Sequence, residues 1–206
     1  LTALLFLSLP LWKKRADGTK GGETHAPALS LRQTLGIRGV KAVLLTFFSY
    51  CALETTAGLW ASTYFVVHRG VSAETAAGFA SMYYLGITLG RFLSGFIADR
   101  AGDRRMIRFG IGTMLAGILL LLIPVGVGAL SLAGLVVIGL GAVPVYPSVI
   151  HMAPANFGEE NSQAVIGIQM ASAYLGITLM PPLFGLLGQF IGMGLYPWYL
   201  LLFAGI

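Results

Sequence analysis

Gly95-Phe96-Ile97-Ala98-Asp99-Arg100-Ala101-Gly102-Asp103-Arg104-Arg105 is a dense knot of charge set between two long apolar runs. Charged residues make up only 10% of the chain and apolar ones 56%, whereas soluble domains carry about 25% charged residues. The mean hydropathy is strongly positive. The runs on either side of the knot, Ala76 to Ala98 and Met106 to Val125, each reach the roughly 20 residues that a membrane-spanning helix needs. Three more runs of that kind follow the same rule: Val40 to Val67, Leu130 to Met152 and Ala164 to Phe190. The chain therefore reads as an all-α, polytopic membrane protein with about five full spans, and the knot is a tight turn at one face of the bilayer.

The distribution of basic residues sets the orientation. Of 13 Lys and Arg, seven (Lys13, Lys14, Arg15, Lys20, Arg32, Arg38, Lys41) precede the first full span, and five (Arg91, Arg100, Arg104, Arg105, Arg108) lie in or beside the knot. Alternating helices put both groups on one side and leave Arg69 for the other. The positive-inside rule makes the basic side cytoplasmic, so the segment before the first span and the 100–105 loop are expected to be cytoplasmic in a multi-pass protein of the plasma or inner membrane. The net charge of +5 is accounted for by this topology, and no nucleic-acid partner is expected.

Leu1 to Trp12 is apolar but, at roughly 18 Å as a helix, too short to cross. Lys13, Lys14 and Arg15 follow it rather than precede it, unlike a secretory signal. It reads as the end of a preceding helix. Asp17 to Ser30 is polar and glycine-rich and reads as a linker, so residues 13–39 form a central loop, with Arg32 to Lys41 as a short interfacial helix. Tyr196 to Ile206 begins another span behind the interfacial cluster Pro197-Trp198-Tyr199. Residues 40–206 are the transmembrane bundle. Cys51 sits inside a span with no second cysteine to pair with, and His25, His68 and His151 lack any partner at metal-ligand spacing. No metal and no cofactor is expected.

Short loops make successive helices neighbours. The first and fourth full spans are the unusual ones: Val40 to Val67 carries Glu54, Thr55, Thr56 and Gly58, and the fourth carries Gly139, Gly141, Pro144, Tyr146, Pro147 and Ser148. Irregular helices at matching places in two triplets are what inverted three-helix repeats produce, and they point to a substrate path. Pro144 and Pro147 free backbone carbonyls that only protein or a watery cavity can tolerate at membrane depth. Pro181-Pro182 reads as a further kink.

Within the knot, Gly95 permits close helix approach and Gly102 a tight turn, while Asp99 at a helix C-terminus needs an arginine or another helix N-terminus to hold it. A loop rich only in topogenic charge would share much of this composition. The spacing of Gly95, Asp99, Arg100, Gly102, Arg104 and Arg105 resembles the loop signature of the major facilitator superfamily, with Ala101 standing where a larger aliphatic is usual and Asp103 where arginine is common. These departures suit the weaker copy in the C-terminal half of that family. The resemblance implies half of a 12-helix bundle made of two inverted three-helix repeats. In its numbering the chain runs from the end of helix 6 through helices 7 to 11 into helix 12, and a separate N-terminal six-helix half completes the transporter. It also implies that the six motif residues serve the conformational latch and not substrate binding.

Glu54 is the one carboxylate near the middle of a full span. An ionised carboxylate in hydrocarbon costs several kcal/mol, so Glu54 is expected to face a polar cavity or to carry a proton, and it is the candidate proton site; a structural carboxyl held between helices is the plainer alternative. Tyr50 to Glu54 followed by Gly58, Trp60 and Tyr64 resembles helix 7 of the fucose permease-like branch. Tyr50 and Trp60 are candidates for the aromatic face of a sugar site, although aromatic residues at helical spacing also serve as packing. Gln169 and Ser172 share a helix face in the fifth full span and, with Tyr146, are candidates for the same cavity. Arg91 lies about 12 Å up the helix from Asp99 and reads as a structural or gating residue that snorkels or pairs with a neighbouring helix.

With these resemblances, the expectation is a secondary transporter moving a small polar solute, a sugar first among the candidates, by alternating access, with Glu54 as the candidate site for proton coupling. Its other expected partners are the lipid bilayer and the N-terminal half, without which the cavity wall is incomplete and this segment alone should not transport. A proton-driven exporter of drugs or metabolites on the same fold, and a non-transporting membrane receptor on that scaffold, are the alternatives. No nucleophile with a base argues for an enzyme, and no filter-like repeat for a channel.

Overall fold

The structure, a computed structural model, describes residues 29–123 and 129–206. The expected end of a preceding helix (1–12), most of the central loop and the loop around Gly126 fall outside these residues. The chain divides into two units, Leu1–Ser30 and Leu31–Ile206, and every element below belongs to the second.

Among the described residues all regular structure is helical: α1 (Leu31–Gly36), α2 (Val40–Val67), α3 (Ala73–Ala101), α4 (Asp103–Leu122), α5 (Ala129–Ala142), α6 (Val145–His151), α7 (Ala153–Phe157), α8 (Glu159–Phe190), a 3-10 turn (Met193–Leu195) and α9 (Tyr196–Ala204). Helices α2, α4, α5 with α6, and α8 are long and apolar enough to cross a membrane. Among the described residues that makes four such helices, where five full spans were expected. The difference is α3, whose 29 residues reach about 43 Å but whose polar groups, Ser81, Thr88, Arg91 and Ser94 among them, dilute its apolar character. It is nonetheless packed along α5 as a member of the bundle.

Small residues set how closely the helices pack, as is usual where lipid offers no hydrophobic drive for association. Helix α4 meets α5 through Gly110 against Gly141 and Gly117 against Gly134, and α3 meets α5 where Gly86 faces the Val136 backbone and Gly139 that of Tyr83. Helix α2 packs most heavily on α8, with Gly176 lying against the Phe48 carbonyl. Gly102 joins α3 to α4 at φ 76, a left-handed value that glycine adopts without strain. Its N–H donates to the Ala98 carbonyl at 3.1 Å. Gly158 at φ 83 likewise starts α8, which begins at Glu159, earlier than the expected Ala164. Glu159 and Glu160 occupy its first turn, where negative charge suits the helix dipole.

At the end of the bundle away from the charged knot, Arg69 holds α2 to α4. It donates from Nε to the Tyr64 hydroxyl at 3.0 Å and from an Nη to the Leu121 carbonyl at 2.8 Å. The latter is one of the last carbonyls of α4, which have no partner within their own helix. Tyr64 in turn stacks on Tyr196 of α9, whose hydroxyl donates to the Ala57 carbonyl at 2.6 Å.

Candidate functional site

The fourth long span is broken, as its prolines require. Helix α5 ends at Ala142 and α6 begins at Val145, with Pro144 at the junction. The Ala142 carbonyl at this break accepts a hydrogen bond from the Tyr50 hydroxyl of α2 at 2.8 Å. Tyr50 is buried, so one of the aromatic residues singled out for binding also seals an orphaned helix end.

Around that junction lies a cavity of about 370 Å³ lined by Tyr50, Glu54, Ile87, Arg91, Val143, Tyr146 and Pro147. Its size falls in the range of ordinary small-molecule sites. Glu54 is only partly exposed and shares this cavity with Arg91, so a carboxylate and a guanidinium from neighbouring helices line one largely apolar space. The Tyr83 hydroxyl of α3 donates to the Glu54 backbone carbonyl at 2.9 Å, pinning the turn that carries the carboxylate. Tyr146 packs its ring against Phe47, with centroids 5.0 Å apart, and its hydroxyl lies 3.1 Å from the Met170 sulfur of α8. Tyr50, Glu54 and Tyr146 are thus brought together.

The remaining candidates lie elsewhere. Trp60 is turned toward α8: its indole N–H donates to the Pro181 carbonyl at 2.9 Å, and its ring packs edge-on against Phe184, with centroids 5.6 Å apart. Gly185 leaves the space for that ring. The Ser172 hydroxyl donates to the Leu44 carbonyl at 2.8 Å, fastening α8 to α2. Gln169 is fully buried and neither atom of its amide has a protein partner.

Sequence reasoning left Arg91 between snorkelling and pairing with a neighbouring helix, and did not include it among the residues of this cavity. A lone cation inside one span and a lone carboxylate inside another carry the signal, since charges at membrane depth seek each other or water. Their common cavity depends on how α3 is rotated against α2.

A second cavity of about 790 Å³ shares Tyr146 and Pro147 with the first and runs toward the knot, lined there by Ser94, Ala98, Gly102, Asp103 and His151. The His151 Nδ1 lies 2.8 Å from an Asp103 carboxylate oxygen. The knot is thereby tied across to the end of α6 by the very residue that departs from the family pattern. Asp103 also stands in the first turn of α4, a favourable place for an acid.

Residues 42–206 match the family model of the Major Facilitator Superfamily. The chain belongs to that superfamily. Among solved structures it is similar to the major facilitator transporter FucP in an outward conformation, with a TM-score of 0.68 and 18% identity over 89% of this chain and 47% of that one. It is also similar to a point variant of the E. coli fucose:proton symporter FucP, with a TM-score of 0.65 and 18% identity over 85% of this chain and 45% of that one. At this identity the likeness is one of fold, and the chain spans about half the length of those structures. No curated protein matches it. The fold is that of half a 12-helix major facilitator bundle, and the superfamily is one of transporters, not enzymes. Within it, the paired cavities lie along the broken helix, between the carboxylate of α2 and the charged turn that joins α3 to α4.

Proposed function

We propose that this chain supplies one half of a secondary transporter that moves a small polar solute, a sugar first among them, by alternating access, with protons taken up and released at Glu54. The observation that carries this reading is the placing of Glu54 and Arg91 in one cavity beside a broken helix, with Tyr50 and Tyr146 in its wall. A carboxylate that alternates between a guanidinium and a proton can couple proton entry to occupancy of the cavity, because the solute's hydroxyls compete for the same two groups. Aromatic walls suit the apolar face of a sugar ring. The second, six-helix half closes the cavity from the other side, and the two halves rock about it. The knot is the latch: its motif residues Gly95, Asp99, Arg100, Gly102, Arg104 and Arg105 surround the turn between α3 and α4, with Asp103 held by His151. The basic face is cytoplasmic, in a plasma or inner membrane.

The test is uptake of labelled monosaccharides into proteoliposomes holding the protein with both halves, with and without an inward proton gradient. Accumulation above equilibrium that a protonophore abolishes is the expected result. Solute movement indifferent to the gradient would rule out coupling, and no movement of any monosaccharide would rule out the sugar reading.

A further inference from the structure

Two adjoining cavities at the arginine-rich end of α3 and α4 make one site of mixed character. The first, about 460 Å³, runs along the outside of α3, α4 and α5 between Gly90, Leu93, Ile97, Phe109 and Leu140. Leu93, Ile97 and Phe109 are 44%, 48% and 64% exposed, as befits a lipid-facing groove. Its single charged lining residue is Arg105. The second, about 620 Å³, shares Ala101 and Arg105 with the groove and is walled further by Arg100, Arg104 and Asp103. Its carboxylate is engaged by His151 at 2.8 Å, and among the described side chains the three arginines form no ion pair. From Gly90 to Ala101 the groove follows α3 for about 16 Å, close to half of a hydrocarbon core of about 30 Å. An apolar slot one leaflet deep therefore ends in a cluster of guanidinium groups. It shares no lining residue with the Glu54 cavity.

We propose that this is a binding site for an anionic phospholipid, with an acyl chain in the groove and the headgroup phosphate held by Arg105 together with Arg100 and Arg104. Guanidinium groups bind phosphate oxygens through paired N–H donors; the apolar walls accommodate the acyl chain of any lipid, so preference for an anionic one comes from the arginines. The site uses three arginines also assigned to the proposed latch, and it shares Ser94, Met106 and Pro144 with the larger cavity beside the knot; the test below reads lipid contact and not transport, so the two readings can fail separately.

The test uses the intact protein in phosphatidylcholine nanodiscs doped with a phosphatidylglycerol that carries a photoactivatable diazirine midway along one acyl chain. Cross-linked residues are read by mass spectrometry. Labelling is expected at Leu93, Ile97 and Phe109, competed by unlabelled phosphatidylglycerol but not by phosphatidylcholine or inorganic phosphate. The apparent affinity should fall about five-fold in Arg105→Gln and about thirty-fold in the Arg104→Gln, Arg105→Gln pair, following the attraction of each basic residue for an anionic membrane surface. Leu93→Trp fills the groove with the arginines intact and should also abolish labelling at Ile97 and Phe109. Equal competition by phosphatidylcholine, full competition by inorganic phosphate, or undiminished labelling in the double variant would overturn the proposal. So would absence of labelling in the unaltered protein because another part of the transporter covers this face.

Discussion

Single side chains in this bundle do two kinds of work, and the hydrogen bonds separate them. Trp60 fastens one helix to another at the Pro181 carbonyl, whereas Arg91 faces the open cavity with Glu54. Trp60→Phe keeps an aromatic ring at that place and removes the donor to the Pro181 carbonyl. A loss of about 1 kcal/mol is expected in thermal or denaturant unfolding, the usual net value of such a bond. Arg91→Leu takes away the one cation that lines the Glu54 cavity. A charge-assisted contact is worth about 1.5 to 3 kcal/mol, so solute uptake should fall roughly ten-fold or more, with Arg91→Lys recovering part of it. Uptake by Arg91→Leu equal to that of the unaltered protein would remove Arg91 from the mechanism.

At the scale of the helices, backbone contact at glycine decides the geometry. A Cβ on Gly86 would run into the Val136 carbonyl, whereas one on Gly78, two turns earlier on α3, meets nothing within 4 Å. Gly86→Val should therefore separate α3 from α5, costing about 1 to 3 kcal/mol or more and lowering the yield of monodisperse protein on size-exclusion chromatography. Gly78→Ala should leave that yield unchanged or raise it, since alanine favours the helix by about 1 kcal/mol. These contacts also explain what could be read in advance. The bounds Val40 to Val67 were legible because a single apolar run sits between basic and polar flanks, and the break near Pro144 because proline withholds an N–H. The start of α8 was not, because Glu159 and Glu160 look like loop residues until the dipole of the helix they open is considered. The facing of Arg91 and of Trp60 depends on the rotation of whole helices, fixed by glycine contacts distant in sequence, and local pattern carries no record of it.

At the largest scale, the unit Leu31–Ile206 is a bundle of closely packed helices with one broken member, along which two adjoining cavities run from Glu54 to the charged turn. The tight glycine contacts of α4 and α3 on α5, and the Arg69 clamp at the far end, favour motion of this half as one body. Under the proposed function, the charge in the knot serves the gate and coupling is assigned to Glu54. Gradient-driven accumulation and solute exchange can be measured side by side in proteoliposomes carrying Glu54→Gln, which keeps the shape of the side chain and cannot exchange a proton. The account predicts that the variant loses accumulation against a concentration gradient while still exchanging labelled for unlabelled solute. Accumulation driven by the proton gradient at the level of the unaltered protein would contradict it.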